Sequence, residues 1–154
     1  MIKRGKSPGA RAGFTLVEIL IVVTIIAILA AIVIPHYTKA SDSAKASALL
    51  VELQTIRKQL IRYQLDHNDQ FPTVAQMWGN LTGRTNADGG PGTEHGPYLE
   101  GDPVNPFTGG SAVAADNSAD WEYDDVSGML RAVVPAAIMT EMNLSTSDTV
   151  ASGS

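Results

Sequence analysis

The sequence predicts an α+β protein: one long, kinked N-terminal helix, half transmembrane and half amphipathic, packed on a small antiparallel β-sheet. Three features predict it. Residues 14–34 hold a single charged side chain, Glu18, in an otherwise apolar stretch. Ala46, Leu49, Leu53, Ile56, Leu60 and Tyr63 then recur at alternating spacings of three and four, the period of one helix face. Two short runs with strand composition, 121–123 and 129–134, flank a turn-forming segment.

The chain begins with a basic leader, residues 1–13, in which Lys3, Arg4, Lys6 and Arg11 meet no acid. Overall there are 11 Lys/Arg and 16 Asp/Glu; setting aside the four leader cations and Glu18 leaves seven against fifteen from Pro35 onward, a balance of −8. An acidic body with no Lys/Arg cluster argues against nucleic acid as a partner. The absence of cysteine excludes disulfides, thiol nucleophiles and Cys-ligated zinc. A chain of 154 residues suffices for an anchor and one modest domain.

Residues 14–34 form the transmembrane half of the helix, since 21 residues at 1.5 Å each span roughly 31 Å, about one hydrocarbon core. Four cations and no acid precede this segment, against Lys39 and Lys45 with Asp42 just beyond it, so the leader is expected in the cytoplasm and the acidic body outside. A secretory signal peptide is the rival. Its apolar core is usually about 7–15 residues long, and Pro35-His36-Tyr37 offers no small-x-small cleavage site. The helical pattern also resumes past Pro35, where the lost hydrogen bond and ring clash predict a kink.

Glu18 is the anomaly. A carboxylate within a membrane segment costs about 2.5–3.5 kcal/mol at the helix centre and calls for a partner, yet no basic side chain occurs among residues 19–38. A cut between Gly13 and Phe14 would create one. The new α-amine would lie one turn from Glu18 on the same helix face, near a helix N-terminus whose dipole favours negative charge. In a bundle, the amine of one copy then neutralises the glutamate of the next.

Gly13-Phe14-Thr15-Leu16-Val17-Glu18, behind a basic leader and ahead of an apolar run, resembles the class III signal of type IV pilins and type II secretion pseudopilins, most of all the major, G-type pseudopilins. The resemblance implies that a membrane prepilin peptidase cuts after Gly13 and N-methylates Phe14, and that Phe14 and Glu18 set the register of assembly. Pro35 falls where the family places a helix-bending proline. The implied partners are further copies in a homopolymer, the peptidase, other pseudopilins, an inner-membrane assembly platform and the lipid bilayer. The implied location is the bacterial inner membrane, single-pass, with the head periplasmic or extracytoplasmic.

The amphipathic half, residues 35–65, is expected to bury its Ala46-to-Tyr63 stripe on the head, with Lys45, Glu52, Arg57, Lys58 and Arg62 on other faces. The head is assigned to residues 66–135. Thr73, with Gln76 three positions on, is placed to cap a short helix. Residues 79–97, with six glycines and two prolines, read as a loop. Trp121-Glu122-Tyr123 and Met129-to-Val134 read as a hairpin, and Ser111–Ala115 as a weaker third strand. Residues 136–154, turning Ser/Thr-rich and polar, read as a flexible tail.

No sequence pattern assembles a catalytic set. His36, His67 and His95 lack metal-ligand spacing, and no Gly-x-Ser-x-Gly elbow occurs. Asp116, Asp120, Asp124 and Asp125 are candidate calcium ligands, hard oxygens gathered in one region. The major pseudopilins carry calcium in their sheet loops, so the resemblance points the same way, while solvated turn carboxylates are the plainer expectation. The resulting expectation is a non-enzymatic subunit of a type II secretion pseudopilus. The alternatives are a type IV pilus or competence pilus subunit and, further off, a membrane-tethered or secreted hydrolase.

Overall fold

A computed structural model describes residues 13–152 of the chain. The basic leader, Gly13 apart, therefore lies outside the described residues. Helix α1 runs from Leu16 to Asp66 and crosses two compact units, one reaching Ala40 and the other beginning at Ser41.

In the first unit α1 is long and apolar enough, by length and composition, to cross a membrane. Its large side chains point outward all round: Leu16, Ile21, Ile28 and Ile34 are 82%, 53%, 58% and 62% exposed. A helix apolar on every face, its apolar window left unburied by the described residues, is built for lipid. Thr24 is the one polar residue between Glu18 and Ile34; its hydroxyl donates to the Leu20 carbonyl at 2.7 Å and so takes no bare donor into that solvent. The helix continues without interruption through Pro35, which a proline within a helix permits when only one bond is lost.

In the second unit the predicted stripe is buried throughout, Ala46 included, and Leu49, Leu53, Ile56, Leu60 and Tyr63 share one core with a four-stranded sheet. The strands are β1 (Val113–Ala114), β2 (Trp121–Asp124), β3 (Met129–Val134) and β4 (Thr149–Ala151), adjacent in that order. Two short helices, α2 (Met77–Thr82) and α3 (Ala136–Glu141), complete the head. From the sheet, Trp121, Tyr123, Leu130, Ala132 and Val134 meet the helix; each large apolar side chain so buried contributes about 1.5–3 kcal/mol. The polar ends of the aromatics are satisfied, with Trp121 Nε1 donating to Pro103 O at 3.2 Å and Tyr123 Oη to Pro72 O at 3.1 Å.

The sheet is mixed, which corrects the antiparallel expectation. Only the β2–β3 hairpin is antiparallel, with Trp121 opposite Ala132 and Tyr123 opposite Leu130; β1 pairs with β2, and β4 with β3, in parallel. The cause is connection. Pro135 ends β3 and starts α3, and the 135–148 crossover returns the chain to the far end of β3, so β4 must run the same way.

That crossover also corrects the flexible tail. Met139 and Leu144 pack against the core, Thr149 is fully buried, and Ser152 N donates to Val134 O at 2.9 Å. Arg57 of α1 holds the segment in place. Its Nε and Nη2 donate to Leu130 O at 3.1 and 2.6 Å, Nη2 also to Ser147 O at 2.7 Å, and Nη1 pairs with Asp148 at 2.6 Å.

Two local expectations also change. Residues 79–82 of the expected loop belong to α2, and the remainder is tied down by Thr85 and His95, which exchange backbone hydrogen bonds of 3.1 and 2.9 Å. Thr73 precedes a 3₁₀ turn, Val74–Gln76, but caps no backbone amide there; its hydroxyl lies 3.3 Å from Gln76 Oε1. Under the loop sits His67, buried and stacked on Tyr63 at 3.6 Å. Its Nδ1 meets the Tyr63 carbonyl at 2.7 Å and so must donate, and Nε2 lies 2.8 Å from the Thr85 hydroxyl. In the hairpin turn Gly128 has φ +71, and a Cβ there would fall 2.3 Å from the Phe71 ring, so the turn requires glycine.

Three phenols give the head an alkaline limit. Tyr123 and Tyr98 are pushed well above the ordinary phenol value by burial first, then for Tyr98 by donating to Asp66 at 2.9 Å. Burial raises Tyr63 as well. A group whose folded pKa is raised contributes stability that is complete below its unfolded value, about pH 10, and that is lost as pH rises beyond it. The melting temperature is expected to be flat up to about pH 10 and then to fall, tracked by phenolate absorbance. Tyr98→Phe should lessen the fall. An identical alkaline profile in that variant would show that Tyr98 contributes nothing to it.

Candidate functional site

The first turn of α1 holds the residues on which the sequence argument converged. Phe14 precedes the helix and is 78% exposed. Thr15 stands at its N-cap and Glu18 at its third position. Glu18 Oε2 accepts from both the Thr15 backbone N–H and the Thr15 hydroxyl, each at 3.1 Å. In return the Glu18 N–H donates to Thr15 Oγ1 at 3.2 Å. This reciprocal pair is a capping box, which satisfies two backbone donors that a helix start otherwise leaves bare.

The box gives Glu18 a partner within its own chain that the sequence argument missed. Its signature was present as Thr15-Leu16-Val17-Glu18, a threonine followed three residues later by glutamate. In lipid the box matters more than in water, because no solvent replaces a missing bond. It also lies wholly on the C-terminal side of the Gly13–Phe14 bond, so cleavage there leaves every atom of it intact. Around it Phe14, Leu16, Ile19, Leu20 and Val23 line a shallow apolar depression.

The calcium candidates are not brought together. Asp116 accepts from the Ser118 amide and hydroxyl at 3.1 and 2.5 Å. Asp120 accepts from the Ala112 amide at 2.8 Å. Asp124 accepts from the Val126 amide and the Ser127 hydroxyl at 3.0 and 2.6 Å, and Asp125 from the Val74 amide at 3.2 Å. The Ser118 and Ser127 hydroxyls, followed by turn amides, hold Asp116 and Asp124 below the usual carboxylate range. Among the described residues no three metal-ligating side chains converge.

Comparison with known proteins falls on the same segment. A family model for the prokaryotic N-terminal methylation motif matches residues 9–34. A type II secretion system core protein G from Pseudomonas aeruginosa is 34% identical over 98 residues, covering 63% of this chain and 68% of that one. A ComG operon protein 3 homolog from Bacillus licheniformis is 35% identical over 65 residues, or 42% of this chain and 67% of that one. A type IV wide pilus major component from Thermus thermophilus is 45% identical over 65 residues, 42% of this chain and 50% of its own. No solved structure matches.

Proposed function

The chain belongs to the type IV pilin-like family as a G-type pseudopilin, and from that premise we propose that it is the repeating, non-catalytic subunit of a type II secretion pseudopilus. The observation that carries secretion over the alternatives is the reach of the similarity. The 98-residue match to a secretion core protein must extend well past α1, which ends at Asp66, whereas the competence and wide-pilus matches span 65 residues.

Among the described residues one segment is long and apolar enough to cross a membrane, and it serves as the anchor. In the proposed cycle the leader faces the cytoplasm and the head lies beyond the inner membrane, as the cations of residues 1–13 favour. A prepilin peptidase cuts after Gly13 and methylates Phe14. The freed amine of Phe14 then pairs with Glu18 of a neighbouring copy as an assembly platform draws subunits into the filament. The head, including the C-terminal segment that Arg57 holds, is carried on the helix. No cofactor enters the proposal; each of the four head carboxylates already accepts from a backbone amide, two within their own turns and two across loops.

Two measurements test it. Mass spectrometry of the native protein is expected to find a chain beginning at methylated Phe14; a chain beginning beyond Pro35 would revive the secretory signal. Deletion of the gene is expected to strand exported proteins in the cell envelope while surface motility and DNA uptake persist. Loss of motility or uptake with normal export would move the chain to the pilus or competence machinery.

A further inference from the structure

Within the head, charge is distributed unevenly around α1. One side carries Lys58, Ile61, Arg62 and Leu65 at i, i+3, i+4 and i+7, all exposed, with Ile61 at 54% and Leu65 at 72%. Like charges four residues apart on a helix repel, and the two large aliphatics beside them leave more than half of their surface exposed. A ridge of that spacing is the anchor pattern of a helix laid into a groove. Roughly a third of a turn further round the same helix, Glu52, Thr55 and Ile56 and the 99–104 segment wall an open groove of ≈ 430 Å³. Leu99 and Val104 supply its apolar surface and Glu52, Glu100 and Asp102 its charge. Burial already pushes the Glu52 carboxyl up, so a cation brought to this groove gains more than one in open water.

We propose that the Lys58–Leu65 ridge of one copy seats in the Glu52–Val104 groove of a second copy of this chain. Ile61 and Leu65 meet Leu99 and Val104, and the two cations face the three carboxylates. The two surfaces are distinct and share no residue. A copy filling its neighbour's groove therefore keeps its own groove open for the next, which makes a heterologous contact that propagates. The inference rests on the filament role above and assigns the head contact within it.

The absence of cysteine makes the test direct. In cells assembling the full chain, Leu65→Cys/Val104→Cys treated with a short bifunctional thiol reagent is expected to give a ladder of covalent multimers. Each single variant should give monomer only. Dimers from a single variant would indicate a symmetric face and overturn the proposal. Filaments in normal yield without a ladder would overturn it too, while leaving the filament role standing. Absence of filaments from the parent chain would remove the role and the inference together. In a second arm, Lys58→Glu/Arg62→Glu is expected to lower filament yield by about tenfold or more, and adding Glu100→Lys/Asp102→Lys to restore it. Failure to restore would sink the pairing, since all six substituted positions are exposed and none carries the core.

Discussion

Glu18→Gln is expected to abolish filaments while leaving membrane insertion, cleavage at Gly13 and the helix itself intact. The capping box explains why this variant separates the alternatives. Glutamine at the third helical position still accepts from the Thr15 N–H, so the local bonds at 3.1 Å keep an acceptor. What disappears is the negative charge. If register depends on pairing with an incoming Phe14 amine, the glutamine has nothing to offer it, and that amine stays unpaired in lipid at a cost of several kcal/mol. Thr15→Ala is the complementary change. It removes the cap, worth about 1 kcal/mol, and spares the charge, so filaments should form in reduced yield. Glu18→Ala loses both and should resemble the glutamine variant. Sheared filaments, quantified against membrane-bound subunit, are the measurement. Normal filaments from Glu18→Gln would reduce Glu18 to a helix cap.

The second large effect is on the head. Arg57→Met keeps the aliphatic stem but withdraws donors from Leu130 O, Ser147 O and Asp148 at once. The Arg57 and Asp148 side chains are each 29% exposed, so water recovers part of the ion pair. Water can likewise reach the exposed Ser147 carbonyl, so the carbonyl of buried Leu130, which loses two bonds, carries the main loss. A cost of about 2–3 kcal/mol is expected, which for a head of this size lowers the melting temperature by roughly 10–20 °C. Arg57→Lys should fall between, because an ammonium reaches Asp148 but cannot reproduce the planar fork. Amide exchange should also rise first in residues 145–152. A methionine variant melting alongside the parent chain would show that packing alone retains the C-terminal segment.

The parts of this protein legible in its sequence are those governed by a local period. The buried stripe from Ala46 to Tyr63 and the Trp121–Val134 hairpin each repeat at a helix or strand spacing over several residues. Strands β1 and β4, of two and three residues, are too short to display any period. Their parallel pairings depend on where distant crossovers return the chain. Arg57 was read as one of several polar residues on the helix, since its partners stand 73 to 91 positions away. Asp116, Asp120, Asp124 and Asp125 were close enough in sequence to suggest calcium, with solvated turns the plainer expectation, and each accepts from a local or cross-loop amide. At the helix start, the chemistry of a charge in lipid was legible and the capping box was overlooked, although one residue, Glu18, bears both.

The brevity of β1 and β4 has a consequence for a molecule that lives crowded among its own copies. These are the outer strands of the sheet, and outer strands expose unpaired backbone groups on which a neighbouring chain can template itself. An edge of two or three residues presents too few bonds to seed such growth. Heads pressed together at filament density therefore do not fuse into a continuous amyloid-like ladder. Polymerisation is left to side-chain and helix contacts, which separate without unfolding either partner.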